Sequence, residues 1–219
     1  MSTVKAVSAL WRAGLVLALG AVVWLGLAVR PAGGQEAAEQ ARTVVERLAE
    51  QAIAVLERSE LSPEAKVREL ERLLDEAADL SQIAKLVLGR YWRSASDVER
   101  SRFVELFRKH LRRQLASRLD LYRGQRLEVG ESVPLDARGR NVLVRSRILS
   151  PDAAPVAVDW VLRRQGERFR IIDVVVEGVS LLRSQREEVA AILAREGFAG
   201  LFARLEEALR AQEGATSRE

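Results

Sequence analysis

The side chains best suited to chemistry lie in residues 173–182, DVVVEGVSLL, where an apolar run ends in an acidic residue, a glycine and a serine. A serine nucleophile needs a G-x-S-x-G turn, a base and an oxyanion hole. The string around Ser180 is EGVSL, without the second glycine, and the only histidine that could act as its base is His110 in the other half of the chain. We therefore expect Gly178 to let the strand bend, and Ser180 or Ser184 to cap the following helix.

Asp173 and Glu177 are the carboxylates of this segment, four residues apart on a predicted strand, so both are expected on the same face. Paired carboxylates can perform acid–base catalysis, and a hydrolase that uses them is one hypothesis. A structural ion pair with basic residues of the predicted sheet is the favoured interpretation. Those basic residues are Arg145, Arg147, Arg163 and Arg170.

His110 is the only histidine of the chain, and there are no cysteines. A single histidine excludes most histidine-based metal sites and an ordinary Ser-His-Asp triad, and the lack of cysteine excludes disulfides and thiolate chemistry. His110 falls at the edge of the apolar side of a predicted helix, where a partly buried structural role is expected. The sequence thus predicts no catalytic residue, no metal and no cofactor.

The N-terminal segment has the pattern of an export signal. Lys5 and Arg12 precede an uncharged apolar run over 13–29, whose length lies between a signal-peptide core and a full membrane span. We expect residues 1–34 to be a signal peptide or an uncleaved membrane anchor. Without them, 32 basic residues remain against 31 acidic ones, so the basic pI gives no support to nucleic-acid binding.

Apolar residues at helical spacing, followed by alternating ones, predict an α+β fold. Four helices are expected in the first half of the chain. The first begins near residue 36, the second follows the Ser62–Pro63 start signal, the third covers SQIAKLVLGRYW, and the fourth follows a Ser96–Glu99 capping box. The period then changes to two. Four strands, 126–133, 141–149, 155–164 and 168–177, are joined by short turns and should form an antiparallel meander. Helices near 184–195 and 198–211, separated at Gly197, close the chain.

These elements predict one domain over residues 35–212. Its helical part covers about 36–124 and 183–211, its sheet covers about 125–182, and residues 213–219 are expected to be a disordered tail. Apolar positions of sheet and helices are predicted to enclose a pocket, although a filled core would give the same periodicity. The candidate lining residues are Leu86, Leu88, Tyr91, Trp92, Phe103, Phe107, Val142, Val144, Ile148, Val156, Val158, Trp160, Leu162, Val174 and Val176.

Four strings, LVLGRYWRSAS (86–96), RFVELFRKHL (102–111), LYRGQ (121–125) and DVVVEGVSLL (173–182), resemble the MlaC, or toluene-tolerance, family of periplasmic phospholipid carriers. The similarity runs from about residue 40 to 210. The positions that match the family's motifs are Leu88, Gly89, Arg90, Tyr91 and Trp92 in the first string, and Asp173, Glu177, Gly178, Val179 and Ser180 in the last.

The resemblance implies a helical subdomain on a twisted cystatin-like or NTF2-like sheet, with an apolar pocket for acyl chains between them. It implies a monomeric shuttle that maintains outer-membrane lipid asymmetry, working between an outer-membrane lipoprotein complex and an inner-membrane ABC transporter with its MCE-domain ring. Gly89, Gly178 and Ser180 would then be turn or hinge positions, and Tyr91 would help to shape the pocket mouth.

Departures from the family leave alternatives open. The string RSQREEV has Gln185 where many relatives have a tyrosine, and EAADLSQ lacks a phenylalanine-bearing lead before IAKLVLG. SQRE and VDWVL resemble a branch associated with hopanoids, so a hopanoid is an alternative ligand. A filled core would instead favour an interaction or assembly module with the same fold.

Overall fold

A computed structural model describes residues 32–116, 119 and 122–216 of the chain. Across these residues five helices precede five strands, and a long helix follows them. The helices are α1 (Ala32–Glu57), α2 (Pro63–Ala77), α3 (Leu80–Leu88), α4 (Tyr91–Ser94), α5 (Asp97–Ala116) and α6 (Leu181–Thr216). The strands are β1 (Arg126–Pro134), β2 (Asn141–Ser150), β3 (Ala153–Gln165), β4 (Arg168–Val176) and β5 (Val179–Ser180). The predicted signal peptide or anchor falls mainly on residues 1–31, outside the described part.

Two predicted helix starts are confirmed by their hydrogen bonds. The Ser62 hydroxyl accepts the Ala65 N–H at 3.2 Å, with Pro63 as the first residue of α2. At α5, Ser96 Oγ accepts the Glu99 N–H at 3.2 Å while the Glu99 carboxylate accepts the Ser96 N–H at 2.8 Å. That backbone hydrogen bond from Ser96, with a second from its hydroxyl, lowers the pKa of Glu99. Both starts satisfy N–H groups that a helix leaves unpaired.

The sheet has five strands in the order β1-β2-β3-β4-β5, with antiparallel neighbours throughout. The predicted meander is confirmed, but the expectation of four strands is wrong. Glu177 and Gly178 adopt positive φ angles of 48° and 80°, which turn the chain back beside β4. Val179 and Ser180 then pair with Val176 and Val175. A two-residue strand is too short for any periodicity to reveal.

The two faces of the sheet differ as the alternation predicts. Val142 and Val144 are buried on one face, while Arg145 and Arg147 are exposed on the other. In β4 the register against β3 shifts at Leu162, and Ile171 and Ile172 are both buried. A bulge of this kind explains why the strand reads as apolar on both sides.

Two apolar clusters hold the fold together. The sheet core packs α1 and the α2–α3 junction onto the apolar face of the sheet; its buried members are Ala37, Ala38, Ala41, Val45, Ala77, Ala78, Leu80, Val142, Val144, Leu162, Phe169 and Ile171. The helix core joins α3, α5 and α6; its buried members are Ala84, Val87, Leu88, Phe103, Leu106, Phe107, Val189, Leu193, Leu201 and Phe202. The small alanines of α1 let that helix lie close to the strands.

Asp79 fixes the helices relative to the sheet. Its carboxylate caps α3 by accepting the Gln82 N–H at 2.9 Å, and it accepts the side-chain amide of Gln165 at 2.7 Å. Burial raises the pKa of Asp79, but the bonds from Gln82 and Gln165 and the charge of Arg170 outweigh burial, and the pKa is lowered overall. An ionised carboxylate therefore ties the start of α3 to the end of β3.

The final helix is divided by Gly197, whose φ of 64° and ψ of −168° interrupt the helical backbone. This confirms the predicted break. We refer to residues 181–196 and 198–216 as the N-terminal and C-terminal arms of α6. Among the helices of the described ranges, none combines the length and the apolar character needed to cross a membrane.

Candidate functional site

The structure divides the predicted lining residues among three places. Leu88, Phe103 and Phe107 are buried in the helix core, against which Tyr91 and Trp92 also pack. Three more, Val142, Val144 and Leu162, are buried in the sheet core, with Trp160 and Val174 against them. The others are half-buried Leu86 at the end of α3 and a strip on the apolar face of the sheet. We call the latter the apolar strip; it consists of Ile148, Val156, Val158 and Val176.

The predicted apolar pocket between helices and sheet is not confirmed. Phe103 and Leu88 are 1% exposed and Leu162 is fully buried, each inside a packed cluster. The rings of Phe103 and Phe107 stack with their centroids 5.8 Å apart. Many of the residues expected to face a void therefore face one another, because α5 and α6 close the helix core and α1 closes the sheet core.

The apolar strip is the part of the predicted site that remains partly open. Cross-strand pairing places Ile148 opposite Val156 and Val158 opposite Val176. Val158 is 4% exposed, whereas the other three side chains are half-buried. The strip thus forms a continuous apolar surface across β2, β3 and β4 on the covered face of the sheet.

Trp160 borders the strip with its one polar atom satisfied. Its indole N–H donates to Ser146 Oγ at 2.9 Å, and the Ser146 hydroxyl donates to the Val158 carbonyl at 2.5 Å. Ser146 is itself buried. Since buried polar atoms are costly unless hydrogen-bonded, this arrangement lets the indole present apolar surface beside the strip without a desolvation cost.

A groove of about 210 Å³ lies between α2 and α5. Its apolar lining consists of Leu74, Leu80, Leu111 and Leu115, and its charged rim consists of Glu71, Asp75, Glu105, Arg108, Lys109 and Arg112. This groove was not predicted from the sequence, where residues 108–114, RKHLRRQ, look like a charged helix face. Leucines four residues apart within a basic stretch were the available signal, because that spacing aligns them on one side of a helix.

Asp173 organises the start of α6. Its carboxylate accepts the Ser180 hydroxyl at 2.6 Å and the Leu182 N–H at 2.9 Å, while Ser180 Oγ accepts the Arg183 N–H at 3.0 Å. The prediction that Ser180 caps the following helix is confirmed. Both side chains also accept main-chain N–H groups of the first turn of α6, so their mutual hydrogen bond is part of the helix cap.

Glu177 does not share a strand face with Asp173, which corrects the prediction from their spacing. β4 ends at Val176, and Glu177 lies in the turn beyond it. Its carboxylate accepts the Ala157 N–H at 2.5 Å, and its own N–H donates to the Ala157 carbonyl at 3.0 Å. The tight turn redirects this side chain toward the backbone of β3.

Three of the four arginines proposed as partners of these carboxylates bond elsewhere, and neither carboxylate pairs with Arg147, so the predicted ion pair is wrong. Arg145 pairs with Glu131 at 3.2 Å, and Arg163 donates to the side chain of Asn141. Arg170 donates to main-chain carbonyls at the end of α2 and just beyond it. Partners in β1, in β2 and at the α2–α3 junction therefore occupy these three guanidinium groups.

The glycines expected at turns or hinges lie in tight turns. Gly89 has a φ of 55° and follows α3, where the Arg186 guanidinium donates to the Leu86 carbonyl at 2.7 Å. Gly178 has open space around its Cα and a φ of 80°, which favours glycine on backbone grounds alone.

His110 is half-buried and hydrogen-bonded to Gln114 at 2.7 Å. Within the described ranges, no three His, Asp or Glu side chains are grouped to hold a metal ion.

Replacing Asp173 tests its structural role. Asp173→Ala is expected to lower the free energy of unfolding by about 1–2 kcal/mol, because it removes acceptors at the first turn of α6. Urea denaturation followed by circular dichroism measures the change. Asp152→Ala, in the exposed β2–β3 turn, is the control and should be neutral. An equal loss in both variants would contradict the capping role.

The amino-acid sequence of this chain is similar to those of known proteins. The family model described as MlaC protein matches residues 46–207. The toluene tolerance protein Ttg2D of Pseudomonas putida is 25% identical over 137 residues, covering 62% of this chain and 63% of that protein. The intermembrane phospholipid transport system binding protein MlaC of Haemophilus influenzae is 24% identical over 134 residues, 59% and 61% of the two chains. The chain thus spans about three fifths of the length of these relatives.

A solved structure shares the fold. It is the phospholipid-binding protein from Ralstonia solanacearum in complex with a phospholipid, with a TM-score of 0.70 and 21% sequence identity. The superposition covers 80% of this chain and 99% of that one. The mixed architecture of helices, antiparallel sheet and C-terminal helix therefore matches that of the neighbour.

Proposed function

Because this chain belongs to the MlaC protein family, we propose that it is a periplasmic carrier that shields the acyl chains of a phospholipid from water. The observation that carries the proposal is the apolar strip beside Trp160, which leaves apolar sheet surface half-buried next to a filled core. The names of the relatives, one a phospholipid transport binding protein and one a phospholipid-binding protein, support the same ligand class.

The physical task of such a carrier agrees with the composition of the site. Each methylene removed from water contributes about 0.8 kcal/mol, so two chains of about 15 carbons amount to on the order of 20 kcal/mol. A carrier must offer surroundings about as apolar as a bilayer, and it needs no base, metal or nucleophile. Ile148, Val156, Val176 and Trp160 would supply that contact, with the headgroup near solvent and weakly selected.

In this proposal residues 1–34 direct the chain to the periplasm, and the ligand passes between two membrane complexes. An inner-membrane ABC transporter with an MCE-domain ring and an outer-membrane lipoprotein complex would be the partners. Gly89 and Gly178 would let the turns at α3 and β4 adjust when a ligand is loaded.

Native mass spectrometry tests the proposal directly. The full chain, expressed in a bacterial host and purified without added lipid, is expected to carry a bound mass that lipid analysis identifies as a diacyl phospholipid. The same protein, stripped of lipid and incubated with phosphatidylglycerol vesicles, should regain one. A chain that carries no lipid in repeated preparations, and none after incubation, would refute the proposal.

A second candidate is an interaction or assembly module, which the filled sheet and helix cores favour. The same measurement separates the two, because an assembly module carries no lipid in either arm. A bound hopanoid would keep the carrier function and change its ligand class.

A further inference from the structure

The groove between α2 and α5 has a floor that continues into the sheet core. Leu80 belongs to that core, and Leu74 and Leu111 pack against it. Leu115 extends the floor toward the small cluster of Val55, Leu70 and Leu73. Leucine side chains therefore form an uninterrupted apolar path from the protein surface to the face of the sheet that carries the apolar strip.

Two ion pairs bridge this groove. Arg108 Nη1 lies 3.1 Å from Asp75 Oδ1. One turn later on α5 and one turn earlier on α2, the Arg112 guanidinium contacts the Glu71 carboxylate. Three of the four side chains are 45–66% exposed, and Glu71 is 16% exposed. The Arg108–Asp75 pair is open to solvent on both sides and adds little to stability, so this contact between α2 and α5 is easily broken.

The opposite side of α5 is packed much more firmly, against the C-terminal arm of α6. There Phe103, Leu106 and Phe107 are buried against Leu201 and Phe202 of the C-terminal arm of α6. Opening that side would expose aromatic rings to water, whereas opening the α2 side exposes a few leucines and separates the two ion pairs at the rim of the groove. If α5 moves, the α2 side is therefore the one that opens.

The volume of the groove shows that such movement is needed. About 210 Å³ is available, while sites for ligands of modest size occupy roughly 300–1,000 Å³. Entry of an acyl chain at this groove would therefore require α2 and α5 to separate. The three basic side chains of the rim, Arg108, Lys109 and Arg112, then face the incoming molecule.

We infer that the α2–α5 groove is the entrance for the acyl chains of a phosphate-bearing lipid, and that the Arg108–Asp75 and Arg112–Glu71 pairs are the latch that closes it. The inference rests on the proposed function. As the chains pass over the leucine floor, the lipid phosphate replaces the carboxylates as partner of the two arginines. Charge-assisted bonds are thereby exchanged rather than lost.

Cross-linking tests the entrance, and the absence of cysteine makes the labelling specific. Glu71→Cys with Arg112→Cys, in the full chain, is bridged with a short bismaleimide, which does not need the Cα separation of about 4.4–6.8 Å that a disulfide requires. Exchange of a fluorescent phosphatidylglycerol with vesicles of unlabelled phosphatidylglycerol is then measured. We expect bridging to slow exchange at least tenfold relative to the same variant without the linker.

The matched control bridges α5 on its other side. Arg102 and Glu206 form an ion pair of 2.6 Å between α5 and the C-terminal arm of α6. Arg102→Cys with Glu206→Cys, bridged in the same way, is expected to exchange lipid within twofold of its unbridged form. Equal rates with and without the α2–α5 bridge, or slowing by the α5–α6 bridge alone, would overturn the entrance while leaving the carrier function intact.

Opening the latch gives a second, independent readout. Asp75→Asn with Glu71→Gln breaks both pairs but keeps the two arginines that receive the phosphate, and it is expected to speed lipid exchange several-fold with an unchanged circular dichroism spectrum. Arg72→Gln removes an arginine whose pairs lie within α2 and should leave the rate unchanged. No acceleration in the latch variant would count against the latch. A wild-type chain that neither binds nor exchanges lipid would remove the proposed function and the entrance together.

Discussion

Phe103→Ala is expected to lower the free energy of unfolding by about 3–5 kcal/mol, the usual cost of removing a fully buried phenylalanine. Phe103 is 1% exposed and stacks on Phe107 in the helix core. Truncation leaves a cavity that the surrounding helices can fill only in part, and it removes the ring contact. Urea or guanidinium denaturation, followed by circular dichroism, measures the change through the transition midpoint.

Val98→Ala is the control for this experiment. Val98 is on the same helix but 77% exposed, and its truncation should leave stability within about 0.5 kcal/mol of the wild type. The comparison bears on the site because Phe103 was predicted to contact lipid. If Phe103→Ala instead unfolds with nearly wild-type stability and loses lipid, the ring lines a ligand pocket rather than a packed core.

Val176→Asn is expected to weaken phospholipid binding by roughly 5- to 150-fold. Val176 is half-buried in the apolar strip, opposite Val158 on the covered face of the sheet. An amide that contacts an acyl chain without a hydrogen-bond partner costs about 1–3 kcal/mol, and 1.4 kcal/mol corresponds to a factor of ten in affinity. Titration of the lipid-stripped full chain with a fluorescent phosphatidylglycerol measures the affinity.

The adjacent residue supplies a matched control. Val175 has the same side chain on the same strand and is also half-buried, but it lies on the opposite face, paired with Ser180. Val175→Asn should bind lipid like the wild type, although it lowers the strand propensity of β4 about as much as Val176→Asn does. Equal binding by both variants would show that the apolar strip does not contact the ligand.

The filled interior sets a condition on ligand binding. Because the sheet and helix cores are packed, a lipid that reaches the apolar strip must displace side chains or separate secondary-structure elements. The free energy needed for that opening reduces the apparent affinity, since only the open fraction of the molecules can bind. A carrier gains from this arrangement, because a ligand that is held too tightly cannot be released to the next membrane.

Local sequence patterns determined most of the fold. The capping signals at Ser62 and at Ser96–Glu99 correctly marked the starts of α2 and α5, since the bonds they make lie within four residues. Alternation correctly placed Val142 and Val144 on one face of β2 and Arg145 and Arg147 on the other. Four motif strings correctly indicated the MlaC family. The order and spacing of residues can be compared between sequences even when their contacts are unknown.

Tertiary structure decided what depends on partners distant in sequence. Pairing of β5 with β4 needs only two residues and carries no periodic signal. The hydrogen bonds of Glu177 to Ala157, and those of Arg170 to carbonyls around the end of α2, join segments that are distant along the chain.

Whether Phe103 lines a void or fills a core is decided by where α6 packs. The groove over Leu74, Leu80 and Leu111 exists only where α2, α3 and α5 meet. Periodicity shows which side of an element is apolar, but the distance between two apolar surfaces is set by the packing of the whole chain.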